Sequence, residues 1–115
     1  MLQLTSKHKV FIGVQAVDFR KGIDGIVAIC RSVLQYDPFS GHCFIFRNKR
    51  ATAVKLLMYD AQGFWLCHKR LSAGSFKHWP SAGQSTWEIS VAQLQVLLYN
   101  GDPFAVNTAA DWRAV

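Results

Sequence analysis

Apolar and polar positions alternate along three consecutive segments in the middle of the chain. These segments are residues 42–48, 52–60 and 64–71, separated by the short polar connections NKRA and DAQG. A period of two is typical of β-strands, and connections this short favour antiparallel hairpins. An earlier segment, KVFIGVQAVDF (residues 9–19), is rich in β-branched and aromatic residues and predicts another strand.

Two other segments have the spacing of helices. Apolar residues recur every three or four positions between residues 19 and 35, after Asp18 as a predicted N-cap. Ser90 is the predicted cap of a second helix, residues 91–99, which follows a short strand-like TWEIS segment. The order β-α-β-β-β-(β)-α indicates an α+β fold: one mostly antiparallel sheet of four to five strands with two helices on one face.

The chain length of 115 residues fits one domain, which we assign to residues 1–102, with residues 103–115 as a loosely ordered C-terminal tail. The opening residues MLQLTSKHKVF contain no apolar h-region, so we expect no secretory leader, and no apolar run is long enough to span a membrane. The three cysteines, Cys30, Cys43 and Cys67, are therefore expected to be reduced core residues of a cytoplasmic protein.

Charge changes this picture, because thirteen Lys and Arg against seven Asp and Glu give a net charge of +6 and a pI near 9.6. Such a basic domain favours an anionic partner, most often nucleic acid or a membrane surface. Most of this positive excess lies in residues 46–70, where Asp60 is the only acid. The cations of this segment are Arg47, Lys49, Arg50, Lys55, Lys69 and Arg70. We expect them to form a continuous basic strip that contacts the phosphates of duplex DNA. The alternative is an edge strand that uses its cations to prevent aggregation.

The DFRKGIDGI segment (residues 18–26) suggests a second anion contact. It puts Arg20 and Lys21 in the predicted first turn of the first helix, where the helix dipole disfavours cations. Neutralisation of both cations by nearby aspartates is the alternative. Gly22 and Gly25 weaken a helix, so we expect another backbone to come close there, that of a ligand or, as we favour, that of the sheet.

No pattern of catalytic or metal-binding residues is found. The pairs His42–Cys43 and Cys67–His68 each lie on adjacent strand positions, so each pair can offer only one ligand to a given face. Nucleophile and phosphate-loop motifs are absent, and the acids are too scattered to predict a metal-dependent nuclease. We therefore expect no enzyme, no metal and no cofactor.

Four stretches resemble one known family: DFRKGIDGI, DPFSGHCFIFRNKR, VKLLMYDAQGFWLCHKRLSAGSFKHWP and VAQLQVLLYNGD. In this order and spacing they are similar to the TnpB-type accessory protein, encoded by the second open reading frame of IS66-family insertion sequences. The resemblance covers roughly residues 9–102. It implies a protein needed for transposition alongside a separate, larger transposase, with no assigned catalytic residues.

Two hypotheses follow from the residues and the resemblance together. The first is a non-catalytic accessory factor that binds duplex DNA at the ends of the element through the basic residues named above. The second is a module that docks on the transposase without contacting DNA. Aromatic side chains are typical anchors of such interfaces, and the predicted ones are Trp65, Phe76 and Trp79.

Overall fold

The computed structural model describes residues 4–81 and 83–105, which contain one five-stranded sheet. Its strands are β1 (Val10–Gly13), β2 (Cys43–Arg47), β3 (Ala53–Tyr59), β4 (Phe64–Arg70) and β5 (Thr86–Ile89). They lie in the order β4-β3-β2-β1-β5; β1 and β2 are parallel and every other pair is antiparallel. The prediction of an α+β fold with a mostly antiparallel sheet is confirmed.

Two helical segments accompany the sheet. Helix α1 (Ile23–Ile29) continues as a π-helical turn, Cys30–Leu34, and ends at Gln35 with a left-handed φ of 60°. Helix α2 (Val91–Leu98) begins with a capping box, in which Ser90 Oγ accepts from the Gln93 amide and the Gln93 side chain accepts from the Ser90 amide. None of the described helices has the length and apolar character needed to cross a membrane.

The helices lie on opposite faces of the sheet, so the prediction that both share one face is wrong. In β2, Phe44 and Phe46 pack in one apolar cluster with Ile26 of α1, whereas Cys43 and Ile45 pack in another with α2. The central strands are apolar on both sides, and one layer of helices would leave one of those sides in water. The parallel step from β1 to β2 also requires a crossover, which places α1 on its own face.

The first helix begins later than the sequence predicts. Asp18 does not cap it; its Oδ1 instead accepts from the Arg20 backbone N–H at 2.9 Å in a turn of the β1–α1 loop. The N-cap is Gly22, which provides no side-chain hydrogen bond. As a result, Arg20 and Lys21 lie in this loop and not in the first turn of a helix.

The C-terminal part of the described chain is held against the domain. Pro103 is buried, its carbonyl oxygen accepts a hydrogen bond from Gln93 Nε2 at 3.1 Å, and the Phe104 ring contacts Trp87 edge-on. The predicted loose tail begins at residue 103, and its residues 106–115 lie outside the described residues.

Candidate nucleic-acid interface

Lys55 of β3 holds the β1–α1 loop against the sheet. Its side chain is only 8% exposed, and its Nζ donates to the carbonyl oxygens of Phe19 at 2.8 Å and Lys21 at 3.1 Å. The ammonium group also lies 4.9 Å from the centroid of the Phe19 ring. Lys55 is therefore already satisfied inside the protein and fixes the backbone on both sides of Arg20.

The β2–β3 turn is organised by Asn48, a residue that the sequence analysis did not single out. Its Oδ1 accepts from the backbone N–H groups of Thr52 at 2.9 Å and Ala53 at 3.2 Å, while Ala51 adopts a left-handed φ of 55°. A side-chain amide that satisfies backbone donors stabilises a tight turn. The turn leaves Lys49 and Arg50 exposed at its tip.

A groove of about 370 Å³ lies between this turn and the β1–α1 loop. Its cationic lining consists of Arg20 from the loop and Lys49 and Arg50 from the turn; we call this the basic groove. The two walls are joined where the Val17 N–H donates to the Arg47 carbonyl oxygen at 2.9 Å. The groove thus has a backbone-linked floor and three cations around it, a shape that suits a bound anion.

Arg47 stabilises the β2–β3 turn that forms one wall of the groove. Its Nη1 donates to the carbonyl oxygens of Asn48 at 3.3 Å and Lys49 at 3.4 Å, so the guanidinium folds back onto its own turn. Its Nε is buried and has no hydrogen-bond partner among the described residues. Arg47 is therefore better placed to shape the turn than to reach a ligand.

Asp18 is the one acid in the groove. It forms a salt bridge with Arg20, with 2.8 Å between Asp18 Oδ2 and Arg20 Nη2, and this is the only ion pair among the described residues. The hydrogen bonds from the Arg20 side chain and backbone lower the pKa of Asp18 to about 2. Arg20 is partly neutralised, but its side chain remains 91% exposed, and no carboxylate pairs with Lys49 or Arg50 in the described part of the chain.

Lys21 leaves the loop on the side of α1. A Cβ atom added to Gly25 would lie 2.8 Å from Lys21 Cβ, so the lysine stem passes directly over this glycine. Nothing lies within 4 Å of the corresponding position at Gly22. The atoms nearest to the missing side chain of Gly25 therefore belong to Lys21 and not to the sheet. Gly25 makes room for Lys21, which lines a neighbouring cavity of about 200 Å³.

The predicted continuous basic strip does not exist, because β3 and β4 present their cations on different faces. Lys69 pairs with Val54 and lies on the α2 face, where its Nζ donates to the Leu98 carbonyl oxygen and sits 4.8 Å from the Tyr99 ring centroid. A cation at the C-terminus of a helix is favoured by the helix dipole. Arg70 pairs with Ala53 on the α1 face, exposed at the end of the sheet that carries the basic groove.

The three predicted partner-binding aromatics are in different environments. Phe76 is 4% exposed and belongs to the apolar cluster with α2, and the indole of Trp79 packs against that cluster and donates to the Gly13 carbonyl oxygen at 2.9 Å. Both therefore serve the core. Trp65 is 40% exposed, with its Nε1 held by Asp60 Oδ2 at 2.8 Å.

Comparison with known proteins identifies the family. The model of the family described as IS66 Orf2 like protein matches residues 8–107. A curated protein of Sinorhizobium fredii, uncharacterized protein y4hO, is 34% identical over 113 residues, which is 98% of this chain and 90% of the relative. The chain belongs to the IS66 Orf2-like family.

A second relative and the structural comparison add to this. Uncharacterized protein y4jC of the same organism is 38% identical over 68 residues, which is 59% of this chain and 58% of that relative's length. No solved structure matches the chain significantly. Membership of the IS66 Orf2-like family indicates an accessory protein associated with insertion-sequence transposition.

The cysteines and histidines of this family member do not form a metal centre in the described residues, where no three potential ligands come together. Cys30 and Cys43 are buried as predicted, and burial raises the pKa of both thiols, that of Cys30 to about 12. Cys67 is exposed on the edge strand β4, so its assignment to the core is wrong.

Two features of the basic groove lacked a distinct sequence signal. Asp18 resembles a helix N-cap by its position, and only the later helix start reveals it as the partner of Arg20. Asn48 carries a weak signal, because an asparagine that begins a four-residue polar connection commonly accepts hydrogen bonds from the turn backbone.

Proposed function

We propose that this IS66 Orf2-like protein is a non-catalytic accessory factor that binds duplex DNA at the ends of its insertion sequence. The contact is made to phosphates by the basic groove, with Lys21 and Arg70 as flanking cations. The protein would be associated with the nucleoid when bound. The observation that carries the proposal is the meeting of Arg20, Lys49 and Arg50 around one groove that contains a single acid.

The chemistry of the groove supports a backbone contact more than a base contact. Exposed Lys and Arg side chains that lack carboxylate partners release condensed counterions when they meet phosphates, and this release drives binding. Contacts of this kind fix the position of a protein on the duplex without reading sequence. The groove therefore accounts for affinity, and selection of the element ends must come from other contacts or from the transposase.

The proposal predicts a definite salt dependence. Three to four phosphate contacts give a slope of about −3 in log K against log salt concentration, at roughly −0.9 for each phosphate. Raising the salt fourfold, from about 50 to about 200 mM, should then weaken binding roughly 60-fold. A mobility-shift titration with the terminal repeat of the element and with random duplex DNA measures both quantities.

Matched charge variants separate the groove from general basicity. Lys49→Ala with Arg50→Ala should reduce the magnitude of the slope by about 2 and lower affinity on both duplexes. Lys7→Ala with Lys77→Ala removes the same charge at exposed positions outside the groove and should change the slope little. Absence of binding at low salt, or equal losses in the two double variants, would exclude the basic groove as the DNA contact.

A second candidate function is docking on the transposase, favoured by exposed aromatic side chains away from the groove. Phe39 is 46% exposed, and its ring centroid lies 4.8 Å from that of Tyr59 and 5.0 Å from that of Phe64. Tyr36 is 40% exposed. Aromatic residues of this kind are enriched at the centres of protein interfaces. Trp65 is the one predicted anchor that remains available for such a contact.

Co-purification with the transposase distinguishes the two functions. A complex that survives nuclease treatment and high salt, and that is lost in Phe39→Ala but retained in the Lys49→Ala, Arg50→Ala double variant, supports docking without DNA. A complex that dissociates with nuclease supports the DNA-binding function instead.

A further inference from the structure

The outer edge of β4 offers a full row of backbone hydrogen-bonding groups. The Leu71 N–H donates to the Thr52 carbonyl oxygen at 2.9 Å and the Asp60 N–H donates to the Gly63 carbonyl oxygen at 3.1 Å, which fixes the alternation of the ladder between β3 and β4. Odd-numbered residues of β4 therefore bond to β3. The N–H and C=O groups that point away from the sheet are those of Phe64, Leu66, His68 and Arg70.

This edge is open in the described part of the chain, where no hydrogen bond occupies the outward backbone groups. The chain that follows β4 turns back toward the other side of the sheet. The Phe76 N–H donates to the Ala51 carbonyl oxygen at 2.7 Å, and Asn100 Nδ2 donates to the Ser75 carbonyl oxygen at 2.9 Å. β4 has seven residues, whereas the opposite edge strand β5 has four and carries Glu88, so β4 is the better template for pairing.

The side chains of β4 are divided into two halves around its centre. Phe64, Trp65 and Leu66 are apolar, His68, Lys69 and Arg70 are basic, and Cys67 lies between them. We propose that β4 pairs antiparallel with β4 of a second copy of this chain, in the register that places the two Cys67 residues opposite each other on the two-fold axis.

The backbone geometry selects this register. With Cys67 opposite Cys67, the outward groups of Leu66 meet those of His68 of the second copy, and those of Phe64 meet those of Arg70. All four outward residues of each copy then exchange hydrogen bonds. Cys67 becomes a non-hydrogen-bonded pair, the kind in which opposing side chains approach most closely.

The side chains favour the same arrangement. Opposing residues of an antiparallel pair lie on one face, so Phe64 meets Arg70 of the second copy, a cation beside an aromatic ring. Trp65 meets the apolar stem of Lys69, whose Nζ is bound to the Leu98 carbonyl oxygen of its own chain. A parallel pairing in register would place cation beside cation. The sequence of β4 therefore complements the same sequence read in the opposite direction. The two five-stranded sheets would join into one sheet that runs through both copies. The alternative role of His68, Lys69 and Arg70 is to prevent β4 from pairing with another strand, as charged side chains do on many edge strands.

Sedimentation and oxidation of the full chain test the pairing. The wild-type protein should sediment as a dimer at micromolar concentration. Diamide removes two hydrogens from the Cys67 thiols, is itself reduced to the hydrazine, and leaves an intermolecular disulfide visible on a non-reducing gel. Cys30 and Cys43 are buried and do not compete. Cys67→Ser should remain a dimer but lose the crosslink. A wild-type protein that is monomeric throughout, or a dimer that diamide does not crosslink, would overturn the proposal.

Two pairs of variants test the edge itself. His68→Pro removes an outward N–H group, which an edge strand tolerates, together with the imidazole that contacts the Phe19 ring edge-on. It should weaken the dimer at least about tenfold because two intermolecular hydrogen bonds are lost. His68→Ala keeps the N–H and should remain a dimer. Cys67→Lys places two cations on the two-fold axis and should also dissociate the dimer, unlike Cys67→Ser; this pair decides the matter if His68→Pro does not fold. A dimer that persists in Cys67→Lys would show that the copies meet elsewhere.

Discussion

Replacing Lys55 by methionine tests the central assignment of the basic groove, that this lysine positions the loop and does not contact DNA. The methionine side chain keeps most of the buried apolar stem but removes the two hydrogen bonds to the carbonyl oxygens of Phe19 and Lys21. Hydrogen bonds from a charged donor contribute about 1.5–3 kcal/mol each, and part of that is offset because an ammonium group no longer has to be desolvated. We therefore expect the free energy of unfolding to fall by about 2–4 kcal/mol.

Urea denaturation followed by circular dichroism measures this loss, which corresponds to a decrease in Tm of roughly 8–16 °C for a domain of this size. Lys49→Met is the matched control. Lys49 is exposed at the tip of the turn, so its replacement should change the free energy of unfolding by no more than about 0.5 kcal/mol.

DNA titrations of the same two variants, under conditions where both are folded, complete the test. Lys49→Met should reduce the magnitude of the salt slope by about 0.9, whereas Lys55→Met should leave the slope unchanged because no phosphate contact is lost. If Lys55→Met were as stable as the wild type and its slope fell by about 1, Lys55 would be a phosphate ligand and the groove would be wrongly assembled.

Further predictions concern the acid of the groove, the cap of α2 and the aromatic residues. Asp18→Asn retains an acceptor for the Arg20 N–H but frees the guanidinium, so affinity for duplex DNA should rise several-fold; unchanged or weaker binding in a mobility shift would contradict the role of Asp18 as a competing anion. Because the folded pKa of Asp18, about 2, lies below its unfolded value of about 3.9, its contribution to stability is present above about pH 4 and is lost as the pH falls toward 2. The difference in unfolding free energy between wild type and Asp18→Asn should accordingly be constant above about pH 5 and change only below about pH 4. Ser90→Ala removes the cap of α2 and should cost about 1 kcal/mol in urea denaturation with DNA affinity intact. Phe76→Ala should cost about 3–5 kcal/mol because the ring is buried, whereas Trp65→Ala should cost clearly less; similar losses in the two would contradict their difference in burial.

The order and type of the elements could be predicted from the sequence, because alternation and helical spacing are local properties. The three central strands and the short TWEIS strand occur where the pattern indicated, and Ser90 caps α2 as expected. The placement of the helices could not be read in the same way. It depends on the parallel pairing of β1 with β2, which no single segment encodes, although the unbroken apolar run of β2 was a sign that both faces are covered.

The site was predictable in composition but not in arrangement. Arg20 of the DFRKGIDGI segment and the turn cations Lys49 and Arg50 line one groove, whereas the charge pattern had indicated two separate contacts. Lys55 and Lys69 do not join this groove. They lie on opposite faces of the sheet, because successive residues of a strand alternate between faces, and the amine of each donates to backbone carbonyl oxygens on its own face. Whether a lysine faces solvent or the interior depends on which partners the tertiary fold brings within reach, and these lie 29 to 36 positions away in the sequence.

The position of β1 between β2 and β5 also determines how the sheet can assemble. Tyr59 pairs with Phe64 only five positions away, so the β2–β3–β4 meander closes small loops at low entropic cost. Val10 pairs with Ile89, 79 positions away, and nearly the whole domain must be in place before that contact stabilises anything. We therefore expect the meander to be the folding nucleus, and β5 with α2 to be the last unit to join and the first to detach. Native-state hydrogen exchange should then be fastest in β5 and α2.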